Sequence, residues 1–318
     1  MAILAKDSEK KQLQLKTITH GELTWIDIVQ PTEEATRYLA AHYNFHPMDL
    51  EDSLSLRQLS KTEEYPGYLF VIFHLPVYDR ATRVSARKQW SAFIGDKFLV
   101  TLRPMELSSL DGLFRECEVN EKAREDYMTQ GSGYLLYQIL DRAIDSYFPV
   151  LNKIASLIDD IEDSVFDEEV EVAEEISILR RDIITQRQVM FPTRTLFLEL
   201  EKKLKRFTKI DLTIYFSDLM DHMNKICDTL DESTEVIDVF KDADYLLSGY
   251  RANRGIRVLT VMLTVVLPVL LVFGLFGVYS LIYGGGNKSN PQMFFLLLGV
   301  VAVIIGAILF FLRRKHLI

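Results

Sequence analysis

Carboxylates are the side chains of this sequence whose density could support chemistry. Ten of them lie between Asp159 and Glu175, where they either form an ordinary solvated helical turn or attract cations. The six histidines are scattered, and Cys117 and Cys227 stand alone without zinc-ligand spacing. The sequence contains no nucleophile elbow, no phosphate-binding glycine loop and no His-Glu-x-x-His motif. It therefore predicts no enzyme activity.

Charge is distributed unevenly along the chain. The formal net charge is −9, yet no Asp or Glu occurs beyond residue 250, where seven Lys and Arg remain. The first 250 residues carry 45 acids and 29 bases. This acidic body argues against nucleic acid as a partner, because phosphate binding needs a basic surface. The acid excess is typical of a body that attracts cations, and equally of ordinary solubility.

Two uncharged segments near the C-terminus predict a membrane hairpin. Residues 258–279 and 293–312 carry no charge, and each is long enough to cross a bilayer core of roughly 30 Å. The segments before the first span and after the second span are basic. They contain Arg251, Arg254, Arg257, Arg313, Arg314, Lys315 and His316. The connection, residues 280–292, carries only Lys288. The positive-inside rule then predicts a multi-pass protein of the cell (plasma or inner) membrane, with both termini cytoplasmic.

The first span contains three residues that interrupt its apolar side chains. Pro268 removes a backbone hydrogen bond from the helix interior, and Gly274 and Gly277 leave one side without side chains. Small residues let membrane helices approach closely. They also shape the wall of a pore. The sequence favours neither interpretation over the other.

Three cytosolic parts precede the membrane. Period-two alternation and a Gly95-Asp96 turn signal predict a mixed α/β domain over residues 1–130. A helical hairpin follows at residues 131–210, with its first helix from about Gly133 to Phe166. A stalk helix then spans residues 211–257. The predicted fold class is an α+β cytosolic domain followed by a long helical stalk and two C-terminal transmembrane helices.

An apolar seam of heptad-like spacing runs along the predicted stalk. Its residues are Leu219, Met223, Ile226, Leu230, Ile237 and Phe240. The helical pattern continues through Gly249 into the first span, and a helix over residues 214–279 would be about 100 Å long. Because one chain is not expected to cover such a seam over that length, the seam predicts self-association around an axis. Such an arrangement is typical of a pore.

Short motifs along nearly the whole chain resemble the CorA family of magnesium and divalent-cation transporters. They are Trp25-Ile26-Asp27-Ile28, residues 46–52, residues 61–65 with Tyr68-Leu69-Phe70, residues 179–182, Pro192-Thr193-Arg194, residues 215–222, and Asn253 with Leu259-Thr260 and Pro268. No motif is specific alone. Their order and spacing carry the resemblance.

The resemblance implies a CorA-like homopentameric funnel in the lipid bilayer that passes divalent cations, with Mg2+ both transported and regulatory. It places the α/β domain in the cytosol, the first span along the pore and the second span in an outer ring. It also implies a cation site between subunits, formed by Glu51 and Asp52 of one chain and Asp218 of the next. Carboxylates of two chains repel each other unless a cation neutralises them, so the metal would hold the assembly closed. The alternative is that Glu51 and Asp52 are ordinary surface acids of a short helix.

The same resemblance assigns an ion pathway on the first span. Its residues are Asn253, Leu267, Leu270, Gly274, Gly277, Val278 and Tyr279. Asn253 would form a polar ring low in the pore, and a leucine ring can gate by dewetting. The family ends this span with Gly-Met-Asn, whereas this chain has Gly277-Val278-Tyr279. A phenol therefore replaces the amide at the outer mouth.

This altered mouth leaves two alternatives to a magnesium channel. The first is a transporter of another divalent metal, such as zinc, cobalt or nickel. Softer metals favour His or Cys ligands, and neither residue occurs in the two spans. The second alternative is a membrane-anchored cation sensor that keeps the Asp218 site and conducts nothing. Ion flux through the isolated protein distinguishes the sensor from both transporters.

Overall fold

A computed structural model describes residues 15–55, 58–103, 107–165, 172–283 and 291–314. Three predicted features therefore lie outside the described residues: part of the acidic run (166–171), most of the connection between the spans with Lys288 (284–290), and the last basic residues from Lys315. The side chain of Tyr279 also lies outside the description.

A six-stranded sheet forms the centre of the first part of the chain. Its strands are β1 (Leu15–His20), β2 (Leu23–Val29), β3 (Lys61–Glu64), β4 (Tyr68–Asp79), β5 (Val84–Gly95) and β6 (Phe98–Arg103). Their spatial order is β1-β2-β6-β5-β4-β3. All neighbours are antiparallel except β2 and β6, which pair in parallel. The predicted turn at Gly95-Asp96 joins β5 to β6, so the hairpin is confirmed.

Four helices accompany the sheet: α1 (Glu33–His42), α2 (Pro47–Leu54), α3 (Ser108–Val119) and α4 (Glu121–Met128). The start of α2 is fixed locally. The His46 side chain accepts a hydrogen bond from the Met48 amide at 3.3 Å, and Pro47 occupies the first helical position, where no N–H is needed. The sequence did not predict α3 and α4. Asn120 caps α4 by accepting from the amides of Lys122 and Ala123.

An aromatic and aliphatic core anchors α1 and α2 on the sheet. Leu39 of α1 and Leu50 of α2 belong to the same buried cluster as Phe70 and Phe93 of the strands. Phe45, between the two helices, stacks on Phe93 with ring centroids 4.1 Å apart. Burial of a side chain of this size contributes about 1.5–3 kcal/mol. The core thus holds α2, which carries Glu51 and Asp52, at a defined place on the sheet.

Three helices follow: α5 (Ser132–Asp145), α6 (Phe148–Val165) and α7 (Ala173–Leu204). The prediction of a single helix from Gly133 to Phe166 is wrong, because the chain breaks between α5 and α6. Pro149 explains the break, since its ring would clash with the carbonyl of Asp145 in a continuous helix. Pro192 lies inside α7, which continues on both sides of it.

The last two helices are α8 (Thr213–Tyr283) and α9 (Pro291–Arg314). α8 holds 71 residues without interruption, so the predicted continuation of the stalk into the first span is confirmed. The chain divides into two compact units. Of the described residues, the first unit holds those from 15 to 164 and from 172 to 241, and the second holds Val165 and those from 242 to 314.

The apolar seam of α8 is covered by its own chain. Leu219, Met223, Ile226, Leu230 and Ile237 are each 0% exposed, and Phe240 is 7% exposed. The covering helices are α5, α6 and α7. Ring contacts join Tyr137 to Phe216 and Phe148 to His222, and Arg180 Nε lies 2.5 Å from Asp238 Oδ1. The prediction that this seam requires a second chain is therefore wrong, because three helices of the same chain supply the apolar surface.

Candidate functional site

The two carboxylates that α2 contributes to the predicted regulatory site differ in their surroundings. Glu51 is exposed, whereas the side chain of Asp52 is 15% exposed. Both carboxylate oxygens of Asp52 accept hydrogen bonds within the chain. Oδ1 accepts from Gln58 Nε2 at 2.7 Å, and Oδ2 accepts from Lys61 Nζ at 2.6 Å. Asp52 is thus already paired in the single chain, while Glu51 faces solvent.

Lys61 lies between two carboxylates. Its Nζ is 2.6 Å from Oδ2 of Asp52 and 2.6 Å from Oε1 of Glu63. Burial lowers the pKa of Lys61, but the hydrogen bonds to Asp52 and Glu63 outweigh it and the net pKa is raised, so the ammonium stays charged at neutral pH. The motif at residues 61–65 did not reveal this role. The signal available was the spacing of two, which places Lys61 and Glu63 on one side of β3.

Asp218 is exposed on α8, and it lies near carboxylates of α5 that the sequence did not indicate. Burial raises the pKa of Asp141, and the charges of Asp145 and Asp218 raise it further. Asp145 Oδ1 in turn lies 3.3 Å from Nδ1 of His222 on α8. The spacing of four between Asp141 and Asp145, which puts both on one helical face, was the available signal. This surface concentrates negative charge around Asp218.

The donor chemistry of these residues fits a hard divalent cation, because Mg2+ prefers carboxylate oxygens. Their arrangement in one chain does not complete a site. Among the residues that the structure describes, no group of three or more His, Cys, Asp or Glu is placed to hold a metal ion. The structure therefore does not bring Asp218 together with Glu51 and Asp52 within one chain.

Six of the seven predicted pathway positions share one face of α8. At about 100° per residue, Asn253, Leu267, Leu270, Gly277 and Val278 all fall within about 60° of Gly274. The leucines are 60% and 63% exposed and Val278 is 55% exposed. A Cβ added at Gly274 would meet nothing within 4 Å. Position 279 lies about 140° from Gly274 by the same count.

The opposite face of α8 is partly covered by its own chain. Val272 is 3% exposed, and six more residues of the apolar segment are half-buried: Val261, Thr264, Val265, Pro268, Val269 and Phe276. By the helical count all of these except Thr264, at about 80°, lie about 120–220° from Gly274. The pathway face is therefore left open in the single chain.

A cavity of about 440 Å3 adjoins Asn253 at the lower end of the pathway positions. Its other lining residues are Leu247, Tyr250, Arg251, Arg254 and Arg257. Arg251 lies 3.7 Å from Asp244 Oδ1, the last acid of the chain. These three arginines lie in α8 directly before its uncharged segment, as the positive-inside pattern requires for a cytoplasmic end.

Within the described part of the chain, one helix is long and apolar enough to cross a membrane, by length and composition. It runs over Thr213–Val278, and its most apolar window has a mean hydropathy of 2.7. Only 6% of that window is buried inside the chain. A core helix of a soluble protein would be covered, so this exposure favours a lipid environment.

A folded domain whose last helix continues without interruption into a bilayer-length apolar segment is typical of a membrane protein. The family model described as CorA-like Mg2+ transporter protein matches residues 20–314. The chain belongs to this family, whose members are transporters of the membrane and not enzymes.

Individual relatives match over most of the chain. The cobalt/magnesium transport protein CorA of Thermotoga maritima is 24% identical and covers 92% of this chain and 83% of its own length. The zinc transport protein ZntB of Pectobacterium atrosepticum is 23% identical over 70% of this chain and 66% of its own length. The solved structure of the CorA magnesium transporter from Methanocaldococcus jannaschii, 23% identical, superposes with a TM-score of 0.72 over 95% of this chain and 94% of its own. This likeness confirms the CorA-like fold.

Proposed function

We propose that this protein is a homopentameric channel for divalent cations and that Mg2+ is the ion it mainly passes. The division of the α8 surface is the observation that carries the proposal. The face with Gly274 is open, and the face with Val272 is partly covered by the chain itself. An exposed face in a bilayer meets either lipid or other helices, and small and polar residues such as Gly274 and Asn253 favour helices. Copies of the same chain, arranged with this face inward, would surround a pore.

The proposed gate lies at the acids of the first unit. Glu51 and Asp52 of one subunit would face Asp218 of the next, and a bound divalent cation would neutralise carboxylates that otherwise repel each other. Asp141 adds negative charge beside Asp218. Asp218 and the pathway positions belong to the same uninterrupted helix. A change in subunit contacts at Asp218 would therefore bias the closed or open arrangement of that helix.

A transporter of zinc is the second candidate. The match to a zinc transport protein and the replacement of the family mouth by Gly277-Val278-Tyr279 favour it. The absence of His and Cys from residues 258–279 and 293–312 counts against it, because zinc prefers nitrogen and sulfur ligands. Selectivity measured in the same assay decides between the two ions.

The test is cation entry into liposomes that carry the purified full-length protein and a Mg2+-sensitive dye. We expect wild-type protein to admit Mg2+, and Mg2+ on the side of the soluble domain to slow that entry. Asp218→Ala is expected to raise the inhibiting concentration at least about tenfold, because it removes a ligand. Asp228→Ala is the matched control, since Asp228 is exposed about 15 Å further along the same helix. Entry of no cation at all would leave the non-conducting sensor.

The mouth is tested with a pair of neighbouring substitutions. Val278 falls on the pathway face by the helical count, and position 279 lies about 100° from it. If α8 enters the mouth as a straight helix, Val278→Asn changes the Mg2+ to Zn2+ selectivity and Tyr279→Asn has the smaller effect. The opposite order would show that the chain leaves helical geometry there and that Tyr279 lines the entrance.

A further inference from the structure

Both carboxylate oxygens of Asp52 accept a hydrogen bond in the single chain. One oxygen is bonded to Gln58 and the other to the ammonium of Lys61. The Lys61 side chain is 30% exposed and that of Asp52 15% exposed, so solvent screens their attraction less than it would on an open surface. A divalent cation that approaches Asp52 meets a positive charge 2.6 Å from the oxygen it would bind. Cation and ammonium repel each other strongly at such separations.

Lys61 has a second acceptor in reach. Its Nζ is equally close to Oε1 of Glu63, at 2.6 Å, and the Tyr65 hydroxyl holds the other oxygen of Glu63 at 3.0 Å. Glu63 is held mainly in its charged form, because its hydrogen bond from Lys61 lowers its pKa. The ammonium can therefore leave Asp52 without becoming unpaired. A small rotation of the lysine side chain suffices, since both acceptors already touch it.

We infer that Lys61 is a built-in competitor for the regulatory cation, such that its ammonium and a divalent cation occupy Asp52 in alternation. The inference rests on the proposed function, because it concerns the same cation site. The competition by Lys61 would also let that site distinguish divalent from monovalent cations. A tethered ammonium has an effective concentration in the millimolar range or above. A monovalent ion brings no more charge than the lysine and does not displace it, whereas a divalent ion does.

Two substitutions should move the cation affinity in opposite directions. Lys61→Met removes the competing charge and keeps an apolar stem near the Phe70 ring, which Lys61 now approaches at 5.9 Å. It is expected to lower the half-maximal Mg2+ concentration about tenfold. Glu63→Gln removes the negative charge of the second acceptor, so that Lys61 pairs more fully with Asp52. It is expected to raise the half-maximal concentration about threefold.

The measurement is the melting temperature of the full-length protein in detergent as a function of Mg2+ concentration, since a ligand that binds the folded state raises Tm. Lys61→Arg keeps the charge and should remain within about twofold of wild type. Lys97→Met is the matched control, because Lys97 forms an exposed pair with Glu22 at 3.2 Å in the turns β5–β6 and β1–β2, away from the edge strand β3 that carries Lys61. Na+ at equal ionic strength should not reproduce the Mg2+ response in wild type.

The inference fails if Lys61→Met leaves the half-maximal Mg2+ concentration unchanged or raises it while wild type responds to Mg2+. If Lys61→Met does not fold, Glu63→Gln decides alone, and a lower half-maximal concentration there contradicts the inference. If Mg2+ does not change the Tm of the wild-type protein, the cation site is contradicted, and the inference fails with it. The flux of cations through liposomes would still test conduction separately.

Discussion

Asp27→Asn should destabilise the α/β part of the protein, because it leaves a buried arginine without its main counter-charge. The side chains of Arg103 on β6 and Asp27 on β2 are both 0% exposed, and Arg103 Nη2 lies 2.7 Å from Asp27 Oδ2. The Arg103 Nε lies 3.2 Å from the other Asp27 oxygen. Thr101 donates a further hydrogen bond to Asp27 at 2.7 Å. Asparagine keeps the shape of the side chain, removes the charge and replaces one acceptor oxygen by an NH2 donor.

The magnitude follows from the remaining partners of Arg103. Removal of one partner of a buried ion pair lowers the free energy of unfolding by about 3–5 kcal/mol. Asp111 of α3, whose side chain is 23% exposed, still accepts a hydrogen bond from Arg103 Nη1 at 3.0 Å and another from Nη2 at 2.5 Å. We therefore expect the lower end, about 3 kcal/mol. At roughly 2–4 °C per kcal/mol for a unit of 150–250 residues, Tm falls by roughly 6–12 °C.

Tryptophan fluorescence during thermal unfolding of the full-length protein is the assay. Trp25 and Trp90, the two tryptophans of the chain, are 0% and 2% exposed on β2 and β5, so the signal reports this part alone. Adding Arg103→Met should recover at least half of the loss, because no unpaired charge then remains buried. Glu22→Gln, in an exposed pair, should change little. A Tm of Asp27→Asn within about 2 °C of wild type, or a double mutant less stable than the single, would refute the reasoning.

Two further substitutions test the sheet, and a third, in α3, is a control for the second. Burial and the charge of Arg87 lower the pKa of His74 from 6.5 to about 4, so the unfolded chain binds more protons between these values. Stability should therefore fall as pH falls from 6.5 to 4, by up to about 1.4 kcal/mol per pH unit, and His74→Gln should flatten this slope in melts recorded from pH 7 to 4.5. Gly95→Ala would place a Cβ 2.4 Å from the Phe98 ring and should destabilise by about 1–3 kcal/mol, measured as a urea midpoint. Gly112→Ala, with nothing within 4 Å of the added Cβ, should instead be neutral or stabilising by up to about 1 kcal/mol.

Elements with a strong local cause were predictable from the sequence. Pro47 supplies the fixed backbone angle that starts α2, and the Gly95-Asp96 turn joins β5 to β6. The lack of a strong break after Ile214 predicted the unbroken α8. Pro149 was an equally local signal for the end of α5, and it was overlooked. Leu110, Leu113, Phe114 and Cys117 of α3 follow the helical spacing of three and four, so α3 was predictable as well. The short α4 buries only Ala123 and Met128, so tertiary packing decides it.

The candidate site was predictable in its residue types but not in its partners. The motif resemblance indicated Glu51, Asp52 and Asp218, and acids are the right chemistry for Mg2+. Nothing in the spacing showed that Lys61 binds Asp52. Nor did it show that Asp141 lies near Asp218. Such pairs depend on how strands and helices are brought together, and a local pattern carries no information about a contact across many residues.

The sequence by itself determined that α8 is one long helix with an apolar seam and an apolar span, because helix breakers and charges are local properties of residues. Only the tertiary structure decided what covers each apolar surface. The seam from Leu219 to Phe240 is buried by α5, α6 and α7 of the same chain, while the face with Gly274 stays open. An apolar side chain gains free energy from any surface that excludes water. Its identity therefore predicts burial, whereas the packing of the whole chain selects the partner.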